Sequence, residues 1–183
     1  MVWKEEIRLE VINYTDNHVL AKVVENNGFQ WFLSGFYSWP EANQKHKSWA
    51  LLRHLSSLIN GLWCYVGDFN AFLHSSKKLS SHPLVVKQME DFGAALEDCR
   101  LIDLGFQGYK FTWNNKRPGV VNIRERLDRA VTNKEWLDYF PTSTVSHKFS
   151  HASNHMPIIL QTGMDNKLQG RIAQGLSLKN NGY

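Results

Sequence analysis

Leu62-Trp63-Cys64-Tyr65-Val66-Gly67-Asp68-Phe69-Asn70 is the stretch whose reading decides the fold. Its apolar start is short and rich in aromatic residues, so positions 62–67 read as a buried strand rather than a helix segment. The strand ends at Asp68, and Asn70 follows two positions later. If the extended backbone continues, both side chains point the same way. A carboxylate and a carboxamide converging at a strand end suit phosphoester chemistry. The carboxylate accepts the proton of an attacking water, and the carboxamide donates to a phosphoryl oxygen. In isolation the same residues are as often a plain turn, since Asp and Asn both favour turns.

Upstream, Ile7, Leu9 and Val11 alternate with charged or polar neighbours, so 7–13 reads as a half-buried strand and 19–25 as a second. Asn26-Asn27-Gly28 between them and the next run is a hairpin signal, because Asn and Gly tolerate positive φ. Residues 29–37 form a third expected strand. The period then changes: Trp49, Leu52, Leu55 and Ile59 fall at helical spacing over 44–60, and Asn60-Gly61 supplies the stop.

Downstream of Asn70, a polar loop precedes a second amphipathic helix marked by Val85, Met89, Phe92, Leu96 and Cys99. Strands are expected at 109–113, 120–130, 142–148 and 156–162, with a short helix near 133–139. Strands first, helices in the middle and strands last indicate an α+β or layered sandwich, not an alternating parallel sheet. One domain is expected over 1–162, followed by a polar tail, 163–183, without regular structure.

A formal charge of +4 tolerates a polyanionic partner without requiring one. The densest basic stretch is 110–129, where Lys110, Lys116, Arg117, Arg124, Arg126 and Arg129 interleave with Tyr109, Phe111 and Trp113. It is either a phosphate-facing surface or an ordinary solvated face. Seven Trp residues call mainly for packing. Cys64 and Cys99 form no C-x-x-C pattern, and Cys64 lies in an apolar run, so a buried free thiol and a reducing, intracellular setting are expected. No apolar run has the length of a membrane span, so a soluble protein is expected, with no membrane partner.

Further polar residues join the opening motif. Tyr37 precedes Pro40 at the end of the third strand, where a phenol could reach a phosphate. Asp128 lies in Arg126-Leu127-Asp128-Arg129, and His155 precedes the last strand in Ser153-Asn154-His155-Met156-Pro157. An Asp–His pair gives an oriented imidazole able to donate a proton. His151 and His155 would make a zinc pair only on a helix, which Ser150, Ser153, Asn154 and Pro157 oppose.

Taken in order, these segments resemble the endonuclease/exonuclease/phosphatase superfamily, and most closely the endonuclease domains of plant LINE-type (non-LTR) retrotransposons. The resemblance rests on Gly35-Phe36-Tyr37-Ser38-Trp39-Pro40, Trp63-Cys64-Tyr65-Val66-Gly67-Asp68-Phe69-Asn70 and Asp98-Cys99-Arg100-Leu101-Ile102-Asp103-Leu104-Gly105-Phe106. Phe111-Thr112-Trp113-Asn114-Asn115, Arg126-Leu127-Asp128-Arg129-Ala130 and the 153–157 segment complete it. It implies an incomplete two-sheet β-sandwich with flanking helices, a deoxyribonuclease-like four-layer fold, that cleaves DNA phosphodiesters with Mg²⁺ or Mn²⁺.

By that resemblance Asp68 positions or activates water, Asn70 and Tyr37 bind the phosphate, and His155 stabilises phosphoryl charge with Asp128 orienting it. Trp113, Asn114, Arg126 and Lys110 would face nucleic acid, and Asp68 and Asn154 would serve the metal. It also implies a nuclear site of action and a fused reverse transcriptase in the parent element. Two departures stand out. Such domains begin with a strand carrying a metal-site Asn and later a metal-binding Glu, and nothing before Lys4 supplies them, so the chain reads as N-terminally truncated. Asn154 stands where an Asp is expected, which removes a negative charge from a dication site. Both imply impaired catalysis, with bare nucleic-acid binding as one alternative and a phosphatase of the same superfamily as another.

Overall fold

The computed structural model describes residues 7–73, 78–79, 86–150 and 153–163. Most of the expected tail, from 164 onward, and most of the polar loop after Leu73 lie outside the described residues. The chain opens as the expected antiparallel meander: β1 (Arg8–Thr15), β2 (His18–Val24) and β3 (Gln30–Tyr37) pair in sequence. Gly28, at φ +80°, makes the second turn, as the Asn-Asn-Gly signal predicts. The register of β1 shifts between Val11 and Asn13, an irregularity that blunts this outer edge of the sheet.

Helix α1 (Lys45–Leu58) carries the chain across to β4 (Trp63–Asp68), which pairs parallel to β3. After β5 (Lys78–Leu79) and helix α2 (Val86–Asp98), β6 (Ile102–Asp103) joins the far side of the main sheet. Then come β7 (Trp113–Asn114), β8 (Arg124–Glu125) and β9 (Asp128–Thr132), helix α3 (Lys134–Tyr139), β10 (Thr144–His147) and β11 (Ile158–Gln161). The strand order is β1-β2-β3-β4-β9-β6 in the main sheet, beside a β10-β11 pair and a small β5-β8-β7 sheet.

Burial of the main sheet on both faces follows from side-chain alternation in its central strands. Trp63 and Tyr65 enter one core with Trp49, Leu52 and Leu55 of α1 and Phe92 and Leu96 of α2. Cys64, between them, enters the other with Trp31, Trp136, Phe140 and Val145, against which Ile158 and Leu160 pack. A strand buried on both faces reads as the continuous apolar run seen at 62–66. Helices, main sheet, second sheet: this is the expected α+β layering. Both cysteines are free and buried.

The expected strand over 120–130 is broken. A 3-10 turn at Gly119–Val121 precedes β8, and the chain leaves strand geometry before β9. The reason is a side chain. The buried hydroxyl oxygen of Thr112 accepts the backbone N–H groups of both Leu127 and Asp128, at 3.0 and 2.9 Å, in place of a ladder partner. The expected strand at 109–113 likewise survives only at Trp113–Asn114.

Gly67 lies in β4 opposite Phe36 of β3. A Cβ there would overlap the backbone carbonyl of Phe36. Gly67→Ala should therefore destabilise the fold by about 2–3 kcal/mol, as overpacking against an immovable backbone does. The urea midpoint measures it, and a shift too small to resolve would contradict this packing.

Candidate active site

Three neighbouring strands of the main sheet terminate in one row. Tyr37, the last residue of β3, is in register with Asp68, the last of β4, and Asp68 is in register with Asp128, the first of β9. The strand does not continue to Asn70, so the expected alternation is not what joins Asp68 to Asn70. Asn70 sits at φ +46° in a tight turn. Its backbone N–H donates to Asp68 Oδ1 at 2.7 Å, and its Nδ2 donates to Asp68 Oδ2 at 3.1 Å and to the Ser38 carbonyl at 3.0 Å. Phe69 between them is fully buried and anchors the turn, its N–H donating to the Leu127 carbonyl.

His155 arrives on the segment before β11. It bridges to Trp113, and the Asn114 N–H donates to the Asn154 carbonyl at 3.0 Å. Its Nδ1 lies 3.0 Å from Asp128 Oδ2, and its Nε2 lies 3.9 Å from Asp68 Oδ2. The second distance is too long for a hydrogen bond.

The electrostatics are those of two carboxylates forced together. Burial raises the Asp68 carboxyl above its ordinary range and the charge of Asp128 adds to this, against the Asn70 N–H, His155 and Lys45. The hydrogen bond to Asp128 raises the His155 imidazole, with desolvation opposing it. Without metal, a protonated His155 is the nearest positive charge to both carboxylates. Asp68, Asp128 and His155 offer ligand atoms all within 4.8 Å of one another. Two repelling carboxylates beside an imidazole fit a divalent cation, Mn²⁺ more readily than Mg²⁺, because imidazole nitrogen suits the softer ion. Water and phosphate oxygens would complete its shell.

The expected site residues thus divide. Asp68, Asn70, Asp128 and His155 converge, and the Trp113 and Asn154 backbones adjoin them. The Asn154 side chain is exposed, and Tyr37 is half exposed at the row's end. The Asn114 carboxamide oxygen is occupied within its own loop, accepting from Asn122 Nδ2 and the Lys116 N–H. Lys110 is exposed over the Phe111 ring. Arg126 does not face nucleic acid: it is 3% exposed, and both its terminal nitrogens bind Asp103 at 2.8 Å. Arg129, 1% exposed, also turns inward, so the basic stretch is no continuous surface. His151 lies outside the described residues.

Three contributors escape sequence reasoning. Thr112 fixes the Asp128 backbone, as described above. Asp103 neutralises Arg126 and Arg129, and these pairs hold its carboxyl below the usual range against the opposing effect of burial. Lys45, buried at the start of α1, donates to the Asn70 carbonyl at 2.6 Å. Burial lowers its ammonium to about 8, while Asp68, Glu41 and Glu125 resist that change.

No family model and no curated protein matches this sequence. Solved structures do match. The chain has the deoxyribonuclease-like fold of endonuclease/exonuclease/phosphatase proteins, as the superposition on several of them shows. One is the endonuclease domain of TRAS1, a telomere-specific non-LTR retrotransposon: TM-score 0.68 at 16% identity, over 90% of this chain and 73% of that one. The 3′ phosphatase NExo from Neisseria, solved with a product DNA hairpin, gives 0.59 at 15%, over 86% and 70%. An endonuclease/exonuclease/phosphatase family protein from Leptotrichia buccalis gives 0.52 at 15%, over 80% and 54%. Among the described residues, no helix is long and apolar enough to cross a membrane.

A raised His155 has a sign. The charged imidazole stabilises the metal-free fold below about pH 6.5, and that contribution fades as pH rises through the folded-state value. An NMR titration of His155 without metal should give a midpoint above about 6.5. Asp128→Asn should bring it down; an unchanged midpoint in that variant would refute the coupling.

Proposed function

We propose that this chain is part of a divalent-metal DNA endonuclease of a non-LTR retrotransposon, and that it hydrolyses phosphodiesters slowly. The observation that carries this reading is the convergence of Asp68, Asn70, Asp128 and His155 on one end of the main sheet. The fold supports it, and the ordered motifs, which resemble plant LINE-type domains, narrow it to that branch. A reverse transcriptase in the parent element and a nuclear place of work follow from the same resemblance.

Bound between Asp68 and Asp128, Mg²⁺ or Mn²⁺ would polarise the phosphoryl group and offset charge that develops on it. The remaining work falls to the side chains. Asp68, held at the strand end by the Asn70 amides, would accept the proton of an attacking water. Asn70 holds both Asp68 oxygens in place and so sets their direction. His155, oriented through Nδ1 by Asp128, would turn Nε2 to the bound cation and through it act on the phosphoryl charge. Tyr37 at the edge of the row suits a second phosphate contact.

The low rate is assigned to Asn154. It adjoins His155 and brings no charge where an Asp would add one beside the cation.

Supercoiled-plasmid nicking with Mn²⁺ or Mg²⁺ tests the proposal. Weak nicking is expected, abolished by Asp68→Ala and raised about tenfold by Asn154→Asp, equivalent to about 1.4 kcal/mol in the barrier. DNA binding without nicking in both the parent chain and Asn154→Asp would favour a binding remnant. Release of phosphate from 3′-phosphorylated ends, with intact plasmid, would favour a phosphatase.

A further inference from the structure

We propose that Lys45 is a positioning residue of this site: its ammonium clamps the Asn70 carbonyl and so fixes the turn that presents the Asn70 carboxamide to Asp68. The inference rests on the phosphodiesterase reading above and concerns how that site is held in shape.

Lys45 sits badly for its own helix. It occupies the first turn of α1, which contains no acidic residue, so its charge opposes the positive end of the helix dipole. It is also only 7% exposed, a position that costs a cation its hydration. What offsets this lies at the other end of the side chain, a short charge-assisted hydrogen bond of 2.6 Å to the Asn70 carbonyl.

That carbonyl belongs to a residue of special conformation: Asn70 is left-handed at φ +46°, a conformation asparagine tolerates better than most side chains and that the turn requires here. The next carbonyl is clamped as well: Arg129, from β9, donates to the Ala71 oxygen at 2.8 Å. Two buried cations from different elements therefore grip consecutive carbonyls of one turn.

The start of α1 is itself tied to the site. Ser48 Oγ lies 2.8 Å from Ser38 Oγ and accepts the Trp39 N–H at 3.1 Å, and the Ser38 carbonyl accepts Asn70 Nδ2. A closed ring results, running from α1 to the end of β3, to the Asn70 side chain, and back through the Asn70 carbonyl to Lys45.

The test compares Lys45→Met, which keeps the apolar stem but donates nothing, with Lys45→Arg, which can still donate. For plasmid nicking with Mn²⁺, Lys45→Met should lower kcat about tenfold to a hundredfold, the scale of a small misplacement in a site. KM should stay within about twofold, because the loss is not one of substrate binding. The ¹⁵N-labelled chain without metal provides a second readout: in Lys45→Met the Asn70 backbone and side-chain amide signals should move toward those of a solvated turn. Lys45→Arg should restore both readouts. Should Lys45→Met fail to fold, Lys45→Gln, polar but too short to span the gap, carries the same expectation.

A folded Lys45→Met or Lys45→Gln chain with native Asn70 signals and unchanged kcat overturns the proposal, as does Lys45→Arg failing to restore the signals. A parent chain that binds Mn²⁺ but never nicks would count against the phosphodiesterase reading alone. The Asn70 signals would then decide the clamp by themselves.

Discussion

Two carboxylates, Asp68 and Asp128, stand in register at the ends of adjacent strands β4 and β9, where burial and then the charge of Asp128 raise the Asp68 carboxyl. A sheet that brings like charges to one point must surround them with compensation. Much of the local architecture does this. His155 lies against Asp128, and Lys45 and Arg129 approach from beneath the turn that follows Asp68. Arg129 would itself be an uncompensated buried cation without Asp103, which it shares with Arg126. Charge thus alternates through the site: Asp68 and Asp128 lie among His155, Lys45 and Arg129, and Arg129 in turn meets Asp103.

The convergence does not depend on loops alone. Asp68 and Asp128 belong to central strands whose faces are buried in two separate cores. Gly67 lets β4 run against β3 without steric conflict. The buried Thr112 hydroxyl sets the entry of β9, and Phe69 plugs the turn into the core. Such a scaffold would hold the side chains of the proposed site in place before substrate arrives, which phosphoryl transfer depends on.

Much of the fold was legible in the sequence because hydrophobic period reports burial directly. The meander, α1, the buried strand at 62–67 and α2 all follow from spacings of two or of three and four. The residues that converge were legible as ordered short motifs, although Asn70 meets Asp68 through a left-handed turn and not through strand alternation. The failures share a cause. The strand expected over 120–130 breaks because a side-chain hydroxyl takes two backbone donors, and no local pattern announces that. Arg126 and Arg129 read as part of a phosphate-facing or solvated stretch, and Lys45 carries no signal of its own, because charge in sequence carries no mark of direction. Only the positions of Asp103 and the Asn70 carbonyl reveal that all three are internal.

The central claim is that Asp68, Asp128 and His155 form a site for a divalent cation, and Mn²⁺ titration followed by water-proton relaxation tests it most directly. The account predicts saturable binding that is lost in Asp68→Ala and in Asp128→Ala. Affinity should rise between about pH 6 and about pH 8, as the cation no longer competes with the proton on His155. Binding that survives both substitutions, or that is absent from the parent chain at every pH, would contradict it.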